Sequence, residues 1–280
     1  MELGVRTLVM GVVNVTPDSF SDGNRYFDAQ AATARALELL DEGADLIDIG
    51  GESTRPGRYA PVVAEEEQRR VLPVIEAMMR ERPEAVLSID TYKASTARLA
   101  VETGAEIVND ISAFSWDTEM ASTCAGMDCG VVLMHTRGKP AEWRSLSALD
   151  RDEILPLVLS GLREGLQRAL DAGVDRRRVA LDPGYGFGKS FDENYPLLAR
   201  QSELLELGQP LLVGVSRKSF LGRKLADLFG GMDAPMAERG NATVAAVTAA
   251  ILGGAHIVRV HDVRAAMEAA RIADAVLEAG

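Results

Sequence analysis

Cysteine is scarce: Cys124 and Cys129 are the two present in 280 residues. Their spacing fits neither a disulfide framework nor a common zinc site. They read as ordinary reduced thiols, and a reducing cytoplasm is the expected setting. Aromatics are few, at 5% of the chain. Long hydrophobic runs are missing as well: the most apolar stretch, Ala245–Ile251, is far short of the roughly 20 residues a bilayer span needs. No basic flank followed by an apolar core marks a secretory signal at the N-terminus. Basic residues are outnumbered, 30 Lys and Arg against 42 Asp and Glu, for a net charge of −12. That balance excludes a general nucleic-acid or acidic-membrane surface, which needs a basic field. A few basic residues in a cleft can still hold an anionic small molecule. No Pro/Gly/Ser linker divides the chain, so residues 1–280 read as one domain, and a hydrophobic content of 47% is ample for its core.

What is present is a recurring two-part phrase. A short β-branched run ends in polar or glycine residues, and a helix-period segment follows. The runs are Leu8–Val15, Leu46–Ile49, Val86–Asp90, Ile107–Asp110, Val131–Met134, Val179–Asp182, Leu211–Val215 and His256–Val260. Each is nearly all apolar rather than alternating, which suits parallel strands buried on both faces. Between them lie amphipathic segments such as Ala29–Asp41, Ala64–Arg80, Ala94–Glu102, Asp152–Asp171 and Arg264–Glu278. Gly43, Gly104, Gly173 and Gly254 stand where helices end and a left-handed residue is needed. The segment 220–253 has room for two helices. Eight alternations predict an α/β fold of the (β/α)8 TIM-barrel kind. An open doubly wound sheet is the alternative, but no GxGxxG follows the first strand to support it.

In such a barrel the active site lies at the C-terminal strand ends. There the sequence puts Asn14, Asp18 and Asp22; Glu52, Thr54 and Arg55; Asp90; Asn109 and Asp110; His135; Asp182 and Lys189; Ser216 to Ser219; and Arg259, His261 and Asp262. Asp90, Asn109, Asp182 and Lys218 combine acceptors, an amide and a cation near the axis. That set suits a flat heterocycle with several N–H groups and a carbonyl. Asp90 taken alone also reads as a cap on the helix beginning near Lys93. Arg259 and His261, two apart on a strand, share a face. Arginine grips phosphate oxygens in bidentate fashion, and histidine can donate one more bond. Asn14 across the seam can offer its carbonyl oxygen to a hard cation such as Mg2+, or serve as a turn residue. The loops 14–23 and 50–57 read as lids over a substrate. Solvated connectors would explain their Gly and Pro, but not Phe20 or the Thr54-Arg55 pair.

At these residues the chain closely resembles the dihydropteroate synthase family. The matching stretches are Met10-Gly-Val-Val-Asn-Val-Thr-Pro-Asp-Ser-Phe-Ser-Asp-Gly23 and Asp48-Ile-Gly-Gly-Glu-Ser-Thr-Arg-Pro-Gly57. After them come Ser88-Ile-Asp-Thr91, Val108-Asn-Asp-Ile111, Leu133-Met-His135 and Leu181-Asp-Pro-Gly-Tyr-Gly-Phe-Gly-Lys189, then Val213-Gly-Val-Ser-Arg-Lys-Ser219 and Val258-Arg-Val-His-Asp-Val263. The resemblance implies condensation of 6-hydroxymethyl-7,8-dihydropterin diphosphate with 4-aminobenzoate, assisted by Mg2+, to give 7,8-dihydropteroate and pyrophosphate. It implies that Asp90, Asn109, Asp182 and Lys218 hold the pterin, with Ile111, Met134, Phe187 and Gly214 around it. Asn14, Arg259 and His261 would hold the diphosphate, and Asn14 the metal. Phe20, Thr54, Arg55, Pro56 and Ser219 would shape the 4-aminobenzoate side, where sulfonamides compete. By this reading the diphosphate departs first. The charge it develops is stabilised by Mg2+, Arg259 and His261, and Asp90 and Asp182 compensate the pterin cation. The loop carrying Asp22 helps close the site around the cation while the amine attacks, keeping water out. A homodimer is the family's usual assembly.

One departure is Asn24, where the family usually carries a second glycine; asparagine tolerates the left-handed backbone better than most residues. Another is a short lead-in before the first strand. Three alternatives compete. A corrinoid-type methyltransferase pterin domain would share the acidic pair but not need Arg259-x-His261. A Schiff-base aldolase would use Lys218. A catalytically silent pterin-binding homologue would keep the pocket and lose the reaction.

Overall fold

The apolar runs form strands, and their alternation decides what each face meets. The computed structural model describes residues 3–16, 25–53 and 61–280. Its strands are β1 Leu8–Asn14, β2 Leu46–Gly50, β3 Val86–Asp90, β4 Ile107–Asp110, β5 Gly130–Met134, β6 Val179–Asp182, β7 Leu212–Val213 and β8 Ile257–Val260. The helices are α1 Arg25–Asp41, α2 Ala64–Glu81, α3 Ala94–Thr103, α4 Met120–Ala125, α5 Ile154–Asp171 and α6 Asn194–Ala199, then α7 Ser219–Lys224, α8 Gly240–Leu252 and α9 Val263–Glu278. All pairings are parallel, in the order β6-β5-β4-β3-β2-β1-β8-β7. A parallel bridge from Leu181 to Leu211 joins β6 to β7, so the sheet closes on itself. The expected (β/α)8 barrel is the fold, and α7 and α8 are the two helices expected in 220–253.

Two differences from the sequence reading are local. The β7 ladder covers Leu212–Val213 rather than Leu211–Val215: Leu211 joins the sheet through its bridge to Leu181, and after Val213 the chain leaves the ladder for a turn over Val215–Lys218. Asp90 does not cap α3: the Lys93 and Ala94 N–H groups bond Thr91 Oγ1 at 3.1 Å and Asp117 Oδ2 at 2.8 Å. The helix-ending glycines Gly43, Gly104, Gly173 and Gly254 all have positive φ, between 90° and 130°, as left-handed C-terminal residues should.

Side chains of period two divide between two cores. Val9, Val13, Ile47, Ile49, Leu87, Ile89, Val108 and Leu133 face outward and pack with the helices. Leu8, Met10, Leu46, Val132, Ala180, Leu212 and Ile257 face inward and form a separate apolar cluster. These inward residues plug the barrel, so that it holds packed side chains rather than a pore. Cys124 and Cys129 are buried free thiols. No helix among the described residues is long and apolar enough to cross a membrane.

Candidate active site

The next inward positions above the apolar plug are polar. Asp48 pairs in register with Ser88, Gly50 with Asp90, Asp90 with Asn109, and Met134 with Asp182. Asp48 and Ser88 are fully buried, while Asp90, Asn109, Met134 and Asp182 reach a cavity of about 290 Å3 at the C-terminal strand ends. The described residues to which the resemblance gives a role all line it: Asn14, Asp90, Asn109, Ile111, Met134, Asp182, Phe187, Gly214, Lys218, Ser219, Arg259 and His261. Asp110, His135, Lys189 and Asp262, also placed at strand ends, do not. Asp22, Phe20, Thr54, Arg55 and Pro56 lie outside the described residues. A broader, shallow groove at the other end of the barrel runs past Met127, Asp128 and Arg177. There Arg177 is occupied by Asp175 two residues away, and no comparable polar set converges.

Arg259 organises the charge at the barrel axis. Its Nε donates to Asp48 Oδ2 at 2.6 Å and its Nη2 to Asp90 Oδ2 at 2.7 Å. Asn109 Nδ2 donates to the same Asp48 oxygen at 3.0 Å. Burial opposes the guanidinium charge, but Asp48, Asp90 and Asp182 more than offset it and hold Arg259 protonated. Burial also raises Asp90 to about 7, with Arg259 pulling it down and Asp48 pushing it up. Asp182 is raised by burial too, although the Gly184 N–H at 2.7 Å and the charge of Lys218 favour its ionised form. Lys218 is lowered to about 8 by burial and by Arg259, against the attraction of Asp182 and Asp90. The cavity therefore holds a carboxyl, Asp90, and an ammonium, Lys218, that both titrate near neutral pH, beside an Asp182 that burial also raises.

The loop after β6 builds the wall. Gly184 has φ +67°, and a Cβ there would meet the His135 carbonyl oxygen at 1.9 Å, so no other residue fits. Lys189 is buried among carbonyls, donating to Gly184 O at 2.7 Å and to His135 O and Phe187 O at 3.3 Å. Burial lowers it to about 7. The turn it ties down holds the Phe187 ring 4.0 Å from Lys218 Nζ, with Trp143 edge-on at 5.4 Å. An ammonium over a ring face is attracted by the ring quadrupole.

The chain matches the pterin-binding enzyme family over residues 10–261. It is 44% identical to dihydropteroate synthase of Bacillus subtilis, covering 98% of this chain and 90% of that protein. A solved Clostridium difficile dihydropteroate synthase, in the presence of pteroic acid, superposes with a TM-score of 0.89 at 39% identity, covering 99% of this chain and 98% of that one. Xanthomonas albilineans dihydropteroate synthase with 4-aminobenzoic acid superposes with a TM-score of 0.86 at 43% identity, over 98% of this chain and 94% of that one. This chain belongs to the dihydropteroate synthase family.

In and beneath this cavity, sequence reasoning missed Asp48, Trp143, Met236 and Arg239, the last three lining it from the long connections. Asp48 was findable: it lies two residues before Gly50 on β2, on the face that points at Arg259. Trp143, Met236 and Arg239 follow no strand period, and nothing in the sequence aimed them here. Glu52 has a further role beside the site. Its carboxylate accepts the Val62 N–H at 3.2 Å, a Lys93 Nζ–H at 2.6 Å and the Tyr92 hydroxyl at 3.1 Å. It thereby clips together the two ends of the β2–α2 loop.

Among the described residues, no group of three or more His, Cys, Asp or Glu is placed to hold a metal ion. Asn14 offers one neutral amide oxygen at the end of β1, where it lines the cavity. That donor set fits Mg2+, which keeps several waters and is commonly bound by one or two protein oxygens plus substrate phosphates. It does not suit a metal bound by protein side chains alone.

Proposed function

We propose that this chain joins 6-hydroxymethyl-7,8-dihydropterin diphosphate to 4-aminobenzoate, giving 7,8-dihydropteroate and pyrophosphate. As a member of the dihydropteroate synthase family it is a transferase of folate biosynthesis. The observation that carries the substrate assignment is one cavity lined by Asp90, Asn109, Asp182 and Lys218 with Asn14, Arg259 and His261 at its β1–β8 side. That one solved relative was determined in the presence of pteroic acid and the other with 4-aminobenzoic acid supports the same substrate pair.

In this reading the pterin N–H groups donate to Asp90 and Asp182, while Asn109 and Lys218 meet its carbonyl and ring nitrogens. Ile111, Met134 and Phe187 pack on its faces, and Gly214 permits close approach. Asn14, His261 and the N–H groups of Arg259 not already given to Asp48 and Asp90 hold the diphosphate. The bond from carbon to the bridging oxygen breaks first, and the diphosphate leaves with the bonding pair. Asp90 and Asp182 stabilise the cation left on the pterin, in a site where their field is little screened. The aniline nitrogen then forms the new C–N bond and passes its proton to the released pyrophosphate. Ser219, with Phe20, Thr54, Arg55, Pro56 and Asp22 from the two loops, surrounds the amine and excludes water. Bound Mg2+, with Asn14 as its protein ligand, would neutralise diphosphate charge as a Lewis acid. The domain spans residues 1–280, binds no nucleic acid, and works as a homodimer.

Calorimetry with the pterin diphosphate, followed by addition of 4-aminobenzoate, tests this reading. Wild-type protein should bind and then form dihydropteroate. Asp182→Asn should weaken pterin binding by roughly tenfold or more, as loss of a charged hydrogen-bond acceptor does, and turnover should fall with it. An Asp182→Asn protein with wild-type affinity and turnover would refute the assignment.

A further inference from the structure

Ser216, in the turn after β7, and His261, the residue after β8, lie beside each other and are joined twice. The His261 backbone N–H donates to Ser216 Oγ at 3.2 Å, and the same oxygen lies 3.0 Å from His261 Nδ1. A serine hydroxyl has one proton and two lone pairs. One lone pair takes the His261 N–H. Ser216 is buried, and among the described residues His261 Nδ1 is the acceptor its proton reaches. Were Nδ1 itself protonated, Oγ would accept from both His261 N–H groups and its own proton would have no protein acceptor among the described residues, only the cavity that Ser216 lines, the poorer arrangement for a buried hydroxyl. The proton therefore sits on Oγ and Nδ1 accepts it. A neutral imidazole that accepts at Nδ1 carries its own proton at Nε2.

The pair is held from both sides. The next residue along each chain segment is joined to its counterpart, with Arg217 Nε donating to Asp262 Oδ2 at 3.0 Å and Nη2 meeting the other carboxylate oxygen. Arg217 has φ +55°, a left-handed conformation uncommon for a residue with a side chain. It is kept there by its N–H bond to Thr243 Oγ1 and by the Arg239 Nη1 bond to its carbonyl, each 3.0 Å. Arg35 Nη2 donates to the His261 carbonyl at 3.0 Å. Both backbones are fixed before any substrate arrives.

We propose that Ser216 is a positioning residue that sets the tautomer of His261, so that the ring presents an Nε2–H donor to the diphosphate in the cavity both residues line. The inference rests on the diphosphate assignment made above. It identifies which histidine atom does the binding and which hydroxyl decides it, as the partner of one ring nitrogen commonly fixes the other.

The chain has three histidines, so ring 15N NMR of histidine-labelled protein at about pH 8.5, where imidazole is largely neutral, is simple to assign with a His261→Gln control. The wild-type His261 spectrum should show a protonated-type Nε2 and an imine-type Nδ1. Ser216→Ala should shift it toward a mixture of tautomers, and Ser216→Thr, which keeps the hydroxyl, should restore it. Inorganic pyrophosphate should bind Ser216→Ala about fivefold more weakly, the net effect of one hydrogen bond. The hydroxymethylpterin without its diphosphate should bind unchanged. An Nδ1–H tautomer in the wild-type protein, or an unaltered His261 spectrum in Ser216→Ala, would overturn the proposal. A tautomer shift with unchanged pyrophosphate binding would uphold the Ser216 role in setting the ring and instead remove His261 from the diphosphate site.

Discussion

Asp90 and Lys218 are the residues whose chemistry the barrel changes most usefully. Burial raises the carboxylate to about 7 and lowers the ammonium to about 8. If the pterin binds through an ionised Asp90 and a charged Lys218, the competent form gains as pH rises through 7 and is lost as pH rises through 8. The kcat/KM for the pterin diphosphate, which reports free-enzyme groups, should peak between those values. Asp90→Asn should abolish the acid limb of its residual activity, and a pH-rate series on both proteins checks this. A wild-type acid limb near the usual carboxylate range would mean that Asp90 is not the acceptor. At this scale most of the site was legible, because Asp90, Asn109, Asp182, Arg259 and His261 sit at strand ends that the apolar runs already mark. Asp48 went unnoticed because it lies inside a strand, one layer below those ends. Its 2.6 Å contact to Arg259 is set by barrel closure between strands far apart in sequence.

The elements behind the cavity are stitched by a second buried network. Lys93, at the start of α3, pairs with Glu52 at 2.6 Å and with Glu67 of α2 at 3.2 Å. The Thr91 hydroxyl donates to Glu67 at 3.0 Å. Both carboxylates are almost wholly buried, with side-chain exposures of 4% and 1%. Burial already raises Glu67 against the pull of Lys93. Lys93→Met would leave two buried carboxylates without their cation and should cost about 3 kcal/mol or more in denaturant unfolding. A loss under ~1 kcal/mol, the usual size for an exposed pair, would show that the network is solvated. The strands and helices themselves were readable from period and glycine placement. The short β7 was not, since the apolar pattern runs on to Val215 while the ladder ends at Val213 and a turn spans Val215–Lys218. Trp143 and Arg239 reach the cavity from connections whose path is fixed by packing, not by any local repeat.

The molecule as a whole is acidic, at −12, yet its cavity keeps Arg259 and Lys218 at the axis. The proposed anion binding is a local matter of these strand ends, and the global charge says nothing against it. The helices α8 and α9 pack on each other and leave Leu252, Ile272, Val276 and Leu277 exposed, an apolar set that supports the proposed homodimer. Sedimentation equilibrium should return twice the 30.0 kDa chain mass, and a single-chain mass at micromolar concentration would contradict the dimer. The most direct measurement is pyrophosphate release by the purified protein given the pterin diphosphate and Mg2+, with and without 4-aminobenzoate. The account predicts release that depends on the amine and matches dihydropteroate mole for mole. No release despite measured pterin binding would contradict it and leave a pterin-binding protein without the transfer reaction.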